Sequence, residues 1–147
     1  PVTTAAEMHK ATLSALPADA LVAAAAVADW HVSDATDRKI KKGPQGVPHL
    51  ALAENPDILA DVSAHAQRPR LVVGFAAETD DVIANATAKR AKKGCDWIVA
   101  NDVSPNTGIM GGAENAVTVI DAAEDWPRLD KDKAARRLAD RIALALA

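Results

Sequence analysis

Glycine is scarce in this chain and arrives late. There are 7 glycines in 147 residues, and the first is Gly43. No glycine-rich phosphate loop precedes the first strand, and G-x-G-x-x-G occurs nowhere. Cysteine is rarer still. Cys95 stands alone, which excludes an internal disulfide. It has no partner in a catalytic motif, so it reads as a small buried residue rather than a nucleophile. With no leader peptide in view, the expected compartment is the reducing cytoplasm. Aromatic residues make up only 3% of the chain, with one phenylalanine. The core must then be Ala, Val, Leu and Ile, and alanine-rich helices packed on thin strands suit a layered α/β fold. No apolar run approaches the ~20 residues of a membrane-spanning helix, and no membrane partner is expected. The length fits one compact domain.

The net charge of −3 gives no global attraction for nucleic acid. The basic residues are nevertheless concentrated. Residues 38–42 (RKIKK) and 89–93 (KRAKK) each hold four of the 17 lysines and arginines. Local positive potential on a mildly acidic protein suits a small anionic ligand better than a polymer. No aromatic residue accompanies either window, as a single-stranded nucleic-acid surface would require.

The stretch LVAAAAVADWHVSDATDRKIKK (21–42) organises the rest. Residues 20–27 read as a strand buried on both faces, as in a parallel sheet. The run ends in Asp29, and the first basic cluster follows. Such a strand tip and loop would hold a phosphorylated ligand in the crevice beyond the strand ends; a core strand followed by a solvated charged loop is the plainer alternative. Upstream, residues 3–15 form a helix with a capping-box pattern, Thr4 followed by Glu7. His9 in this helix has no ligand or catalytic partner at helical spacing and reads as structural or solvated. Residues 30–48 read as a long loop with Gly43, Pro44, Gly46 and Pro48, and 49–52 as a short strand. Neither His31 nor His49 has metal-ligand spacing.

A helix from about 55 to 65 follows, with Asn55 as its cap, Pro56 at the first helical position and Asp57 in the first turn. Residues 70–77 (RLVVGFAA) are the clearest strand. Phe75 either packs in the core or offers a flat face to a planar base. Glu78 to Asp81 cap a helix over 80–93, in which Lys89 and Lys93 share a face and which Gly94 ends. With strand 96–100 this makes one right-handed parallel β-α-β unit. Loop 103–114, strand 116–120, an irregular connection at 124–128 and an amphipathic helix over 131–146 capped by Asp130 complete the chain. It opens with a helix instead of the usual strand and glycine-rich turn. It therefore reads as the later part of a nucleotide-binding domain whose opening strand lies upstream.

AAVAD (25–29), KIKK (39–42), ENPDI (54–58), GFAAET (74–79), KRAKK (89–93) and ANDVS (100–104) occur in that order. Together they resemble phosphopantothenate–cysteine ligase, the synthetase half of the bifunctional coenzyme A biosynthesis flavoprotein, over nearly the whole chain. The resemblance implies a Rossmann-like three-layer α/β sandwich with a mainly parallel sheet, here lacking its opening glycine-rich strand-loop-helix, and a homodimer. It implies a CTP- and Mg²⁺-dependent reaction. The carboxylate of 4′-phosphopantothenate is activated as an acyl-cytidylate with release of pyrophosphate, and cysteine then displaces CMP.

Carried over by position, the resemblance also assigns roles. Ala23, Ala24 and Ala25 bring backbone close to the nucleotide. Asp29 meets the ribose or the metal-bound phosphates. Lys39 is the catalytic residue, offsetting charge that develops in the activation step. Asn55, Pro56, Asp57 and Ile58 read the cytosine edge, and Phe75 covers the base. Lys89 and Lys93 meet ribose or phosphates, and loop 40–48 is a flap. Asp29, Lys39 and Phe75 should then converge on one pocket at a rim of the sheet. Strand 116–120 with the connection around Trp126 is a candidate dimer contact.

The sequence departs from the family in two respects. The family has proline or a similar residue shortly after AVAD, where this chain has DWHVSD. The family's upstream G-x-T-x-E loop, its triphosphate-cradling Ser/Gly segment and an asparagine are absent, as is the decarboxylase domain that holds FMN. The isolated chain is therefore expected to lack ligase activity. A non-catalytic nucleotide- or phosphate-binding module on the same scaffold is the alternative.

Overall fold

Residues 71–76 alternate faces, Val72 and Ala76 to one side and Leu71, Val73 and Phe75 to the other, and that alternation builds the centre of the molecule. A computed structural model of the chain describes residues 1–36, 38–41, 46–47, 49–104, 114–120 and 124–147. Among them are four helices: α1 (Ala5–Ser14), α2 (Ile58–Ser63), α3 (Val82–Lys93) and α4 (Lys131–Leu146). The strands are β1 (Ala20–Ala23), β2 (Trp30–Val32), β3 (Leu52–Glu54), β4 (Leu71–Glu78), β5 (Trp97–Asp102), β6 (Glu114–Asn115), β7 (Val117–Ile120), β8 (Glu124–Asp125) and β9 (Leu129–Asp130).

The main sheet has the order β1-β4-β5-β7-β8. β1, β4 and β5 are mutually parallel, whereas β7 joins β5 antiparallel and β8 joins β7 antiparallel. Side chains alternate across this sheet. Val72, Ala76, Ile98 and Ala100 face one side, packed by Leu13, Ile58, Leu59 and Ala86 from the α1, α2 and α3 regions. Leu71, Val73 and Val99 face the other, packed by Leu138 and Ile142 of α4. The fold is thus the expected three-layer α/β sandwich. Burial on both faces explains why 71–76 is a continuous apolar run.

Several expected boundaries hold. Thr4 caps α1 in a full capping box: its hydroxyl accepts from the Glu7 N–H at 3.1 Å, and the Glu7 carboxylate accepts from the Thr4 N–H at 3.2 Å. Asp130 caps α4, accepting from the Lys133 N–H at 2.8 Å. Gly94 ends α3 at φ 68°, a left-handed conformation that glycine adopts without strain. Cys95 is buried, and burial pushes its thiol above the ordinary value. His9 Nε2 lies 2.8 Å from Asp61 Oδ2, between α1 and α2.

Other expectations are corrected. The first strand stops at Ala23 rather than running to 27, since alanine favours strand weakly. Residues 30–32, read as loop, pair antiparallel with 52–54 as a separate ribbon, and the short strand expected at 49–52 begins three residues later, at Leu52. Asp81 starts α3 at φ 42° with no side-chain cap, and the Asn85 amide donates instead to the Asp80 carbonyl at 2.8 Å. Trp126, a candidate dimer contact, is 5% exposed and packed within its own chain. Most of loop 103–114 and residues 42–45 and 48 of the expected flap lie outside the described residues.

Gly74 decides how closely α2 approaches the sheet. A Cβ built there would stand 2.6 Å from Leu59 Cδ2 and 2.8 Å from Ile98 Cδ1. Ile98 is fully buried, so the Leu59 side chain must shift. Gly74→Ala is expected to destabilise the fold by about 1–3 kcal/mol, as overpacking does, measured by urea unfolding. An unchanged midpoint would show that α2 is not seated on that glycine.

Candidate functional site

β1 ends at Ala23, paired with Gly74 halfway along β4. The space beyond its tip is a cleft of about 560 Å³. Ala23, Ala25 and Asp29 form its first wall. The β2–β3 ribbon adds Trp30 and Glu54, which are directly opposite one another and so share a face. The approach to α2 adds Asn55 to Leu59, β4 contributes Phe75, and α3 contributes Lys89, Lys92 and Lys93.

Asn55 holds this arrangement together. Its backbone N–H donates to the Asp29 carbonyl at 2.8 Å, and its side-chain amide donates to the Ala28 carbonyl at 2.9 Å. The asparagine therefore ties the chain after β1 to the segment before α2. That engagement also explains why it is not the helix cap. Asp57 is, accepting from the Ala60 N–H at 3.2 Å through Oδ1. The other oxygen of Asp57 accepts from Lys93 Nζ, which fixes the end of α3 against the start of α2. Burial raises the Asp57 pKa, but Lys93, the Ala60 N–H and the charge of Lys92 outweigh it. The carboxyl sits below its ordinary value.

The wall carries three lysines and three carboxylates, Asp29, Glu54 and Asp57. Lysines at the end of a helix oppose the negative end of its dipole and present compact point charges suited to phosphate. Carboxylates beside them accept from hydroxyl or amino groups. The cleft thus suits a ligand that is anionic at one end and rich in donors at the other. Among the described residues, no three His, Cys, Asp or Glu side chains group so as to hold a metal ion. Asp29, assigned a metal, has no such partners.

Of the residues expected at the site, Ala23, Ala25, Asp29, Asn55, Pro56, Asp57, Ile58, Phe75, Lys89 and Lys93 share this cleft. Ala24 does not. Alternation along extended chain sends it to the other face of the sheet, into an apolar cavity of about 320 Å³ beside Leu138 and Trp126. Phe75 lines both cavities and packs against the α4-side core, so it is at once a core and a cleft residue. Lys39 is exposed and is not part of the wall. The expected convergence thus brings together carboxylate 29 and ring 75 but not ammonium 39. Trp30, Glu54 and Lys92 are additions. Lys92 was legible as the second lysine of KRAKK, three residues after Lys89 and so on its face.

Residues 1–145 match the family described as DNA/pantothenate metabolism flavoprotein C-terminal domain. The chain is 46% identical over 118 residues to the coenzyme A biosynthesis bifunctional protein CoaBC of Mycobacterium tuberculosis H37Rv, covering 74% of this chain and 26% of that protein. To the protein of the same name from Bacillus subtilis 168 it is 41% identical over 121 residues, covering 82% and 29%. The crystal structure of the C-terminal domain of CoaBC superposes with a TM-score of 0.73 at 30% identity, covering 99% of this chain and 64% of that one. In fold alone, the DNA/pantothenate metabolism flavoprotein from Streptococcus pneumoniae gives 0.74 at 18% identity, covering 98% and 71%. The chain spans between a quarter and a third of the length of these curated relatives. No helix among the described residues is long and apolar enough to cross a membrane.

The Asp57–Lys93 contact has a pH signature. The folded pKa of Asp57 lies below the unfolded value of 3.8, so its contribution is complete above that value and is lost as pH falls through the folded one. Asp57→Asn keeps a capping acceptor and removes the charge. The stability gap between parent and variant should hold from about pH 7 to about pH 5 and shrink below about pH 4, by urea unfolding at each pH. A gap that widens on acidification contradicts the pairing.

Proposed function

The chain belongs to the DNA/pantothenate metabolism flavoprotein C-terminal domain family, and on that footing we propose that its cleft binds the nucleotide of a ligase joining 4′-phosphopantothenate to cysteine in coenzyme A biosynthesis. The nucleotide is CTP, brought with Mg²⁺ as part of the substrate. The observation that supports this reading is the meeting of four separate sequence segments in one cleft whose charges suit a nucleoside triphosphate.

In this reading Lys89, Lys92 and Lys93 hold the phosphates, and Asp29 accepts from the ribose hydroxyls. Segment 55–58 and Phe75 take the base. A carboxylate oxygen of phosphopantothenate attacks the α-phosphorus, forming the P–O bond as pyrophosphate leaves. The amine of cysteine then attacks the acyl carbon, forming the amide as CMP leaves with the bonding pair. Electrostatic stabilisation of the crowded phosphate is the main demand on the protein. Lys39 is carried on the excursion between β2 and β3, whose two feet stand at the cleft, and the reading has it enter once ligand is bound. The same reading gives the whole protein an upstream decarboxylase domain with FMN, a homodimeric state and a cytoplasmic location.

The position of Lys39 outside the wall favours a second reading, a nucleotide-binding module without turnover. Calorimetric titration separates the two. The ligase reading expects MgCTP to bind well above MgATP, with Asp29→Asn and Lys39→Gln each weakening it about tenfold or more, roughly 1.4 kcal/mol. Equal affinity for both nucleotides favours the module. The isolated chain is expected to release no pyrophosphate from CTP with phosphopantothenate and cysteine, and normal turnover would refute a need for upstream residues.

A further inference from the structure

Trp30 is an unusual residue to leave in water. Among the described residues it is the one aromatic in the set of exposed large apolar side chains, at 55% exposure. The other two tryptophans are on the α4 face, packed against the core there. Arg137 stands 4.8 Å from the Trp126 ring centre and Arg141 5.3 Å from that of Trp97. Trp30 instead lines the cleft, next in sequence to Asp29.

Its backbone is fixed from both ends. Trp30 pairs with Glu54 in the ribbon. One residue before it, the Asp29 carbonyl accepts from the Asn55 N–H at 2.8 Å; three residues after it, the Ser33 N–H donates to the Ala51 carbonyl at 3.0 Å. A large flat side chain with two torsions, on a pinned backbone, loses little entropy when a ligand covers it. The remaining apolar lining is aliphatic apart from Phe75. A planar base or a sugar face entering this cleft would thus meet two aromatic surfaces from segments 45 positions apart in sequence.

We propose that the indole of Trp30 contacts the nucleotide bound in the cleft, as a second aromatic surface beside Phe75. The proposal rests on the nucleotide reading of the cleft. Stacking of this kind tolerates exchange of one aromatic for another and is lost with alanine. The indole is also the only tryptophan ring lining the cleft, so it reports the contact optically.

The test uses the 147-residue chain and MgCTP, with calorimetry and tryptophan emission read on the parent, Trp30→Phe and Trp30→Ala, each checked for an unchanged unfolding midpoint. MgCTP should change the emission of the parent and not that of Trp30→Phe, which keeps Trp97 and Trp126. Affinity should fall about tenfold in Trp30→Ala and stay within about twofold in Trp30→Phe, the pattern of a stacking contact. An emission change that persists in Trp30→Phe, with parent-like affinity in Trp30→Ala, overturns the role of Trp30 and leaves the nucleotide reading standing. A parent chain that binds no MgCTP by calorimetry overturns both.

Discussion

The absence of a side chain at Gly74 is the constraint on which the cleft depends. The Leu59 methyl groups and the buried Ile98 both reach the space that a Cβ would take there. With α2 seated that low, Asp57 reaches Lys93 on α3, and Ile58 and Leu59 become wall rather than cover. The next residue, Phe75, faces the opposite layer by strand alternation, yet its ring reaches the cleft past the short end of β1. One glycine in β4 thus leaves room for Leu59 of α2 against the sheet beside the site.

Charge in the cleft is balanced rather than uniformly basic, which fits the acidic total. Three lysines cluster where α3 ends, and one is already engaged by the Asp57 carboxylate. A partly exposed pair of this kind contributes modestly to stability. Its larger consequence is geometric, because it holds one ammonium in place and ties α2 to α3. Asn55 does the corresponding work between the tip of β1 and the ribbon, using backbone and side chain together.

Much of this was readable from the residues because the determinants are local. The apolar run at 71–76, the Thr4–Glu7 box, the Asp130 cap and the stop at Gly94 each follow from neighbours within a turn or a strand. What was not readable depends on distant partners. The β2–β3 ribbon pairs residues about twenty apart, and nothing in 30–32 alone announces a strand. Asn55 has every local qualification for a helix cap, but a carbonyl 27 residues earlier takes its amide. Ala24 is the opposite case: alternation along the chain turns its side chain away from those of Ala23 and Ala25, a separation the sequence itself carries. Lys39 shows the limit of motif order, since sequence adjacency to a cleft does not put a side chain in its wall.

The central claim is that a nucleoside triphosphate sits between the tip of β1, the start of α2 and the end of α3. Backbone amide NMR spectra recorded as MgCTP is added test it most directly. The account predicts shifts confined to residues 23–30, 54–59, 75 and 89–93, the segments that line the cleft. Shifts concentrated instead on α4 and the apolar cavity around Trp126, with the α3 lysines unmoved, would contradict it.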